Sequence, residues 1–314
     1  MKIVCLAPIK NEAWILDNFL KAASIWADYI IVADQNSTDK SKQIALKYKK
    51  VIYLKNTQNT FNESYRQTLL INAARKIPGS KVLIALDADE FLSANSLKST
   101  EWKKIKKLKP GTSLYCHLCN VKPSQKIYWE PIKLLPCGFV DDNKSEVKDL
   151  AIHNARIPIV NKSRAIVLND LQILHLQFVN KERMESKGRW YMCYEMIENL
   201  KPWWKIYVQY HRMHAVNKKR LKTLPDEWIN GYKKRGIDIL KFKKAKEYWW
   251  DKEVMNYFDI YGVNKFKMLD IWYGKWNKYN DPQSCFIKFF FKITKFIYPY
   301  IYRTYISLSK RRIS

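Results

Sequence analysis

Two hydrophobic periods alternate along the first ninety residues. Short continuous apolar runs at 2–7, 28–33, 51–54 and 81–86 predict buried strands. Between them apolar residues recur at three- and four-residue spacing. Ile15, Leu16, Phe19, Leu20 and Ala23 mark one face of a helix over 12–27, and Tyr65, Leu69, Leu70 and Ala73 mark one over 63–77. The run Asp34-Gln35-Asn36-Ser37-Thr38-Asp39 is turn chemistry that can cap a helix over 40–49. Strand–helix repeats of this length predict an α/β fold, a Rossmann-type parallel sheet with helices on both faces.

After Pro110-Gly111 the texture changes. Residues 112–122, 126–135 and 165–178 read as longer strands, which predict mixed or antiparallel additions to the sheet. From about 180 the chain turns helical and aromatic, and Tyr191, Tyr194, Trp203, Trp204, Trp249 and Trp250 are expected to be packing residues of that helical part. Residues 285–314 differ again. Lys288, Lys292 and Lys295 fall at i, i+4 and i+7 on one helical face, Phe and Ile fill the rest, and the chain ends with Lys310-Arg311-Arg312 nearby. A basic amphipathic helix with an aromatic face has the pattern of an interfacial membrane anchor. The other reading is a helix docked on the protein's own core, and the aromatic content favours the anchor. Three segments are expected: a nucleotide-binding α/β domain over 1–180, a helical aromatic-rich extension over 181–284, and the basic tail over 285–314.

Composition narrows the classes. The chain has 314 residues, of which 47% are hydrophobic, so a sizeable core is available and disorder throughout is excluded. With 57 Lys and Arg against 29 Asp and Glu, the formal net charge is +28, which favours anionic partners: a membrane face, phosphorylated substrates or nucleic acid. Part of this charge is a Lys-rich composition spread over the whole chain. The first apolar run is too short for a secretory signal, and no run of 18 uncharged apolar residues exists. The expectation is a cytoplasmic protein, peripheral on the inner face of the membrane, with its six cysteines as thiols.

Three consecutive strand ends carry polar chemistry. The sharpest is the apolar strand that runs into Asp87-Ala88-Asp89-Glu90-Phe91. Ligands of open α/β sheets bind beyond the carboxyl ends of the strands. Two carboxylates there offer hard oxygen ligands for Mn²⁺ or Mg²⁺. At the end of the first strand, Pro8-Ile9-Lys10-Asn11-Glu12 leads into a helix start, where amides and side chains can meet a nucleotide. At the end of the second, Asp34 can bind a ribose hydroxyl or a base N–H. Each alone is ordinary turn chemistry; together they point to a nucleotide site.

These residues resemble the family 2-like glycosyltransferases of the GT-A fold. The match is carried by Lys10-Asn11-Glu12, by Asp34 with Asn36-Ser37-Thr38-Asp39, and by Asp87-Ala88-Asp89-Glu90-Phe91, over roughly residues 1–180. The resemblance implies a GT-A-like mixed sheet, a nucleotide-sugar donor with UDP as the default, and a metal ion. It puts Pro8, Lys10, Asn11, Glu12, Asp34 and Asn36 at the nucleotide, Asp87 near the ribose and metal, and Asp89 on the metal at the diphosphate. It also gives Arg66 a donor-site role, against the reading of a surface arginine. Leu174-His175-Leu176-Gln177, followed by Lys187, Arg189, Trp190 and Tyr191, is similar to a segment of some bacterial members. It implies His175 as a further metal ligand and Lys187 and Arg189 at the diphosphate. The acceptor is expected to be a glycan or lipid-linked molecule of bacterial lipopolysaccharide, capsule or another surface polysaccharide.

The catalytic base departs from the family pattern. Many relatives carry His-Glu in the acceptor region, where this chain has His153-Asn154. An amide cannot take a proton, so His153, Asp141, Asp142 and Glu146 are the candidates, beside Asp89 for the reaction centre. Two other classes stand as alternatives. A nucleotidyltransferase would need a Gly-rich phosphate loop after the first strand, which Pro8-Ile9-Lys10-Asn11 lacks. A nucleic-acid-binding protein would explain the charge but leaves Asp87 and Asp89 without a role, so nucleic acid is not an expected partner. Cys116-His117-Leu118-Cys119 is not read as a zinc site, because strand neighbours point to opposite faces.

Overall fold

The computed structural model describes residues 1–310 apart from 59, 123, 125, 161–163, 212–215, 243–246 and 274, with the backbone alone described at 299 and 301–310. Arg311 and Arg312 of the terminal basic cluster, and the side chain of Lys310, lie outside the described residues. The chain divides into two compact units, residues 1–179 with 222–244, and residues 180–221 with 245–314.

The first unit opens as strand–helix repeats: β1 (Lys2–Ile9), α1 (Leu16–Trp26), β2 (Tyr29–Asp34), α2 (Ser41–Ala45), β3 (Val51–Lys55), α3 (Glu63–Arg75) and β4 (Lys81–Ala85). Strands β4, β1, β2 and β3 lie side by side and parallel. Their side chains sort by the two-residue period of a strand. Ile3, Cys5, Ala7 and Ile9 face one core with Leu16, Phe19 and Leu20 of α1, while Val4 and Leu6 face a second core with Leu70, Ile71 and Ala74 of α3. Both faces are therefore covered, as an unbroken apolar strand requires. Each fully buried Leu, Ile or Phe contributes about 1.5–3 kcal/mol. The buried stripe of α3 runs through Gln67, Leu70, Ile71 and Ala74, rotated from the expected one, and Tyr65 is exposed.

The remaining strands extend the sheet in mixed directions. They are β5 (Glu90–Leu92), β6 (Ser113–Lys122), β7 (Ile127–Trp129), β8 (Leu135–Val140), β9 (Ala165–His175) and β10 (Lys222–Thr223), with short helices α4 (Glu101–Ile105) and, after β10, α7 (Glu227–Lys233). Strand β8 lies between β4 and β6 and is antiparallel to both. Strand β9 runs parallel to β6 and pairs antiparallel with β5, bringing Glu90 opposite His175. Among the described residues the fold is thus a ten-stranded mixed sheet flanked by helices.

One expected strand is divided in the structure. The single strand expected over 126–135 is a short β7 followed by β8, which starts at Leu135 and continues through Pro136 and Gly138. Gly138 is required there. A Cβ at this position would lie 2.7 Å from Ile84 Cδ1 and 3.1 Å from the Leu83 carbonyl oxygen. The cysteines also need correcting. Cys116 and Cys137 form a disulfide, because antiparallel β6 and β8 hold their Cα atoms 6.0 Å apart. Cys5, Cys119, Cys193 and Cys285 are thiols.

The second unit is helical, with α5 (Lys181–Ile197), α6 (Trp203–His211), α8 (Trp249–Tyr261) and α9 (Cys285–Lys310). Trp190 stacks with Tyr194 and meets Trp249, so most of the expected aromatic packing is present. Trp204 is an exception at 51% exposure. Helix α9 does two things at once. Phe291 and Tyr298 bury against Tyr207 of α6, while Phe286, Phe289, Phe296 and Tyr300 stay exposed. Among the described residues no helix is long and apolar enough to cross a membrane.

Candidate nucleotide-sugar and metal site

The ends of β1 and β2 are laced together by side-chain to backbone bonds. Asn11 sits at a φ of 56°, in the left-handed region that Asn tolerates better than most residues. From there its Oδ1 accepts the Thr38 N–H at 2.7 Å, and its own N–H donates to Ser37 Oγ at 2.8 Å. The Glu12 N–H donates to Ser41 Oγ and the Ala13 N–H to Asp39 Oδ2. Asn36 also has positive φ, which turns the chain after Asp34. Asp34 is buried and accepts from the Ser37 N–H at 3.0 Å and from Tyr53 Oη at 2.8 Å. Burial and the Asp34 carboxylate together push the Tyr53 phenol up, so it remains a donor. Pro8 is buried in β1 opposite Ala33 of β2. Lys10 is half-buried just beyond it. Expected nucleotide residues on two different strands are therefore one connected rim.

The end of β4 carries the carboxylates. Asp87 Oδ2 accepts from Arg156 Nη2 at 2.8 Å, Glu90 Oε1 accepts from the same nitrogen at 3.0 Å, and Glu90 Oε2 pairs with Arg156 Nη1. Burial would lower the Arg156 pKa, but Asp87, Glu90 and Glu63 outweigh it and hold the guanidinium charged. Arg156 comes from the long connection between β8 and β9, and α3 holds that connection in place. Arg75 bonds Asp141 and the Ser145 carbonyl, while Glu63 accepts the Asn154 N–H at 2.7 Å.

Asp89 faces another way. Its Oδ1 lies 3.9 Å from His175 Nε2, and both side chains are almost fully buried. His175 Nδ1 lies 3.0 Å from Asn120 Oδ1 on neighbouring β6. An amide oxygen only accepts, so Nδ1 carries a proton and Nε2 is the nitrogen turned toward Asp89. An imidazole oriented through its second nitrogen, beside a carboxylate, is a donor set that suits a divalent cation. Asp87, committed to Arg156, is less well disposed to join it. No group of three or more His, Cys, Asp or Glu gathers among the described residues.

Residues 5–110 match the model of a family described as glycosyl transferase family 2. A search among curated proteins finds no match. Among solved structures, glucosyl-3-phosphoglycerate synthase from Mycobacterium tuberculosis, in complex with Mn²⁺, UDP and phosphoglyceric acid, is 14% identical at a TM-score of 0.29. That alignment covers 37% of this chain and 43% of that one, less than half the length of the mycobacterial protein. HddC from Yersinia pseudotuberculosis is 10% identical over 58% of this chain and 96% of its own, at a TM-score of 0.34. A 4-diphosphocytidyl-2C-methyl-D-erythritol synthase is 12% identical over 44% and 75%, at 0.27.

The other expected site residues divide. Arg66 lies over the Phe61 ring at 4.9 Å and 3.7 Å from Glu63, on the helix that positions the Arg156 loop. Asp142 is spent on a turn. Partial burial would raise its pKa, but bonds from Ser145 and the Lys144 N–H hold it low, which suits an anchor better than a base. Asp141 is likewise bound by Arg75. His153 is exposed at a φ of 58°, three residues before Arg156. In the second unit, Arg189 is buried in a two-bond ion pair with Asp251 and lies over Trp276, and Lys187 is half-buried on α5. Arg156 and Asn120 carry no signal in the sequence. They lie 66 and 55 residues from their partners, and no local spacing links them.

Proposed function

We propose that this protein is a metal-dependent glycosyltransferase that moves a sugar from a nucleotide-sugar donor to a hydroxyl of a glycan or lipid-linked acceptor. The observation that carries the reading is the Asp89–His175–Asn120 arrangement beside the joined ends of β1 and β2, within a chain whose residues 5–110 match glycosyl transferase family 2. Asp34 and the Asn11–Glu12 turn hold the nucleoside, with UDP as the default. Asp89 and His175 hold Mn²⁺ or Mg²⁺, with Asp87 at the ribose. The bound ion would neutralise charge on the departing nucleoside diphosphate.

In the transfer, the bond from the anomeric carbon to the diphosphate oxygen breaks and one to the acceptor oxygen forms. The acceptor proton passes to a base, for which His153 is the retained candidate. Arg156 fixes Asp87 and Glu90 so that the end of β4 keeps one conformation during the exchange. The exposed aromatic face of α9 and the charge of +28 support a place at an anionic membrane face, with surface-polysaccharide synthesis as the role.

The test is thermal stability against a panel of nucleoside diphosphates and nucleotide sugars, with and without Mn²⁺. Ligand binding to the folded state raises stability by RT ln(1 + [L]/Kd). One nucleotide is expected to give a Mn²⁺-dependent rise that Asp89→Ala abolishes. No rise with any nucleotide, at concentrations that saturate ordinary transferases, sinks the reading.

A further inference from the structure

The helical unit contains two adjoining hollows that the donor site does not use. One, of about 530 Å³, is walled by the rings of Tyr207, Tyr210, Tyr273 and Tyr298 with Met184 and Met192, and carries Lys181, Glu185 and Arg189 at its edge as well. Three of these spend their hydroxyls elsewhere: Tyr210 on Glu195, Tyr298 on the Val208 carbonyl and Tyr273 on the Asp270 carbonyl. What they offer the hollow is therefore mainly ring surface. The other, of about 580 Å³, is lined by Lys288, Lys292 and Lys295 of α9, with Asp270 as its carboxylate. The two hollows share Tyr273, Asp270 and Lys295. Lys295 bonds Asp270 at 3.1 Å and lies 3.7 Å from the Tyr273 ring centre, so it marks the border between the aromatic and the cationic side. Lys288 pairs with Asp281, whereas Lys292 has no carboxylate partner among the described residues.

A second observation concerns Gly188, in the middle of the 17-residue helix α5, where it lines the aromatic hollow. Glycine inside a helix is unfavourable relative to alanine. Packing does not demand it here, since an added Cβ would meet nothing within 4 Å and the position has no positive φ. A side chain at 188 would instead project into open space. The bare backbone keeps the hollow available.

We propose that these joined hollows bind an amphiphile with a phosphate or diphosphate head, its head on the lysines of α9 and its apolar chain among the tyrosines. The lysine side sits on the same helix as the exposed Phe286, Phe289 and Phe296, which is where such a molecule would be met at a bilayer surface. This deepens, and rests on, the reading of a lipid-linked acceptor.

Titration calorimetry with decyl phosphate below its micelle concentration tests it, on the full chain. One saturable site is expected, weakened about tenfold in Lys292→Gln and lost in Gly188→Phe. Gly188→Ala should retain it and melt at a higher temperature. Equal binding of the neutral decyl maltoside overturns the proposal, as does unchanged decyl phosphate binding in Gly188→Phe. Inorganic phosphate binding as tightly as decyl phosphate reduces the site to a bare anion site and also overturns it. Nucleoside diphosphate and Mn²⁺ binding are measured on the same variants. Their persistence when decyl phosphate fails to bind leaves the donor reading standing, and their absence with decyl phosphate bound separates the two the other way.

Discussion

Glu90 is fully buried, and its charge is supported by Arg156, which Asp87 shares. Removing one partner of a buried pair leaves an uncompensated charge and costs about 3–5 kcal/mol. Arg156→Met is therefore expected to destabilise the protein by about that amount in urea titration, and a loss below about 1 kcal/mol would assign Arg156 to the surface. Asp270 supplies a pH test. Burial would raise its pKa, but His211, Tyr273 and Lys295 lower it below the ordinary carboxylate value. A depressed folded pKa means stabilisation that is complete above an unfolded value of about 3.9 and lost as pH falls through the folded one. Melting temperature followed from pH 7 to pH 2 should show this acid loss, and Asp270→Asn should flatten it. At this scale the sequence was partly legible. Asp34, Asp87 and Asp89 stand at strand ends and announce themselves by position. Arg156 does not, because its meaning lies in a loop that folds back across 66 residues.

Strand β8 shows what elements add. The strand passes through Pro136 and Gly138, beyond the end expected at 135, and fills the space between β4 and β6. Gly138 is there because Ile84 and Leu114 leave no room for a Cβ. Gly138→Val is expected to destabilise by overpacking, about 1–3 kcal/mol or more. Urea titration would show it, and a neutral result would mean that the sheet yields more than its packing implies. The parallel strands β1 to β4 were legible because each is apolar on both faces. The mixed additions were legible in type but not in boundary, since partner strands and not local period set their ends. Helix α9 docks through Phe291 and Tyr298, as one reading of the tail expects, and leaves an aromatic stripe exposed, on which the proposed membrane anchor rests.

For the molecule as a whole, the proposed place at a membrane face calls on the charge of +28 and the stripe on α9 together. Anionic surfaces attract each nearby Lys or Arg by about 1 kcal/mol, and salt weakens the attraction. The protein is expected to sediment with phosphatidylserine vesicles at low salt, to release partly at high salt, and to lose binding when Phe286, Phe289 and Phe296 are all changed to Ser. Sedimentation unaffected by those changes would detach the stripe from the membrane. The sequence by itself determined the α/β class, the positions of the parallel strands along the chain and the polar chemistry at their ends, because hydrophobic period and turn residues are local properties. Tertiary structure decided which of those groups meet. Asp89 finds His175 through the β5–β9 pairing, His175 is oriented by Asn120 of β6, and Asp87 is claimed by Arg156. Each of these joins residues far apart in the chain, and a contact made by strand pairing or loop return leaves no mark on local spacing.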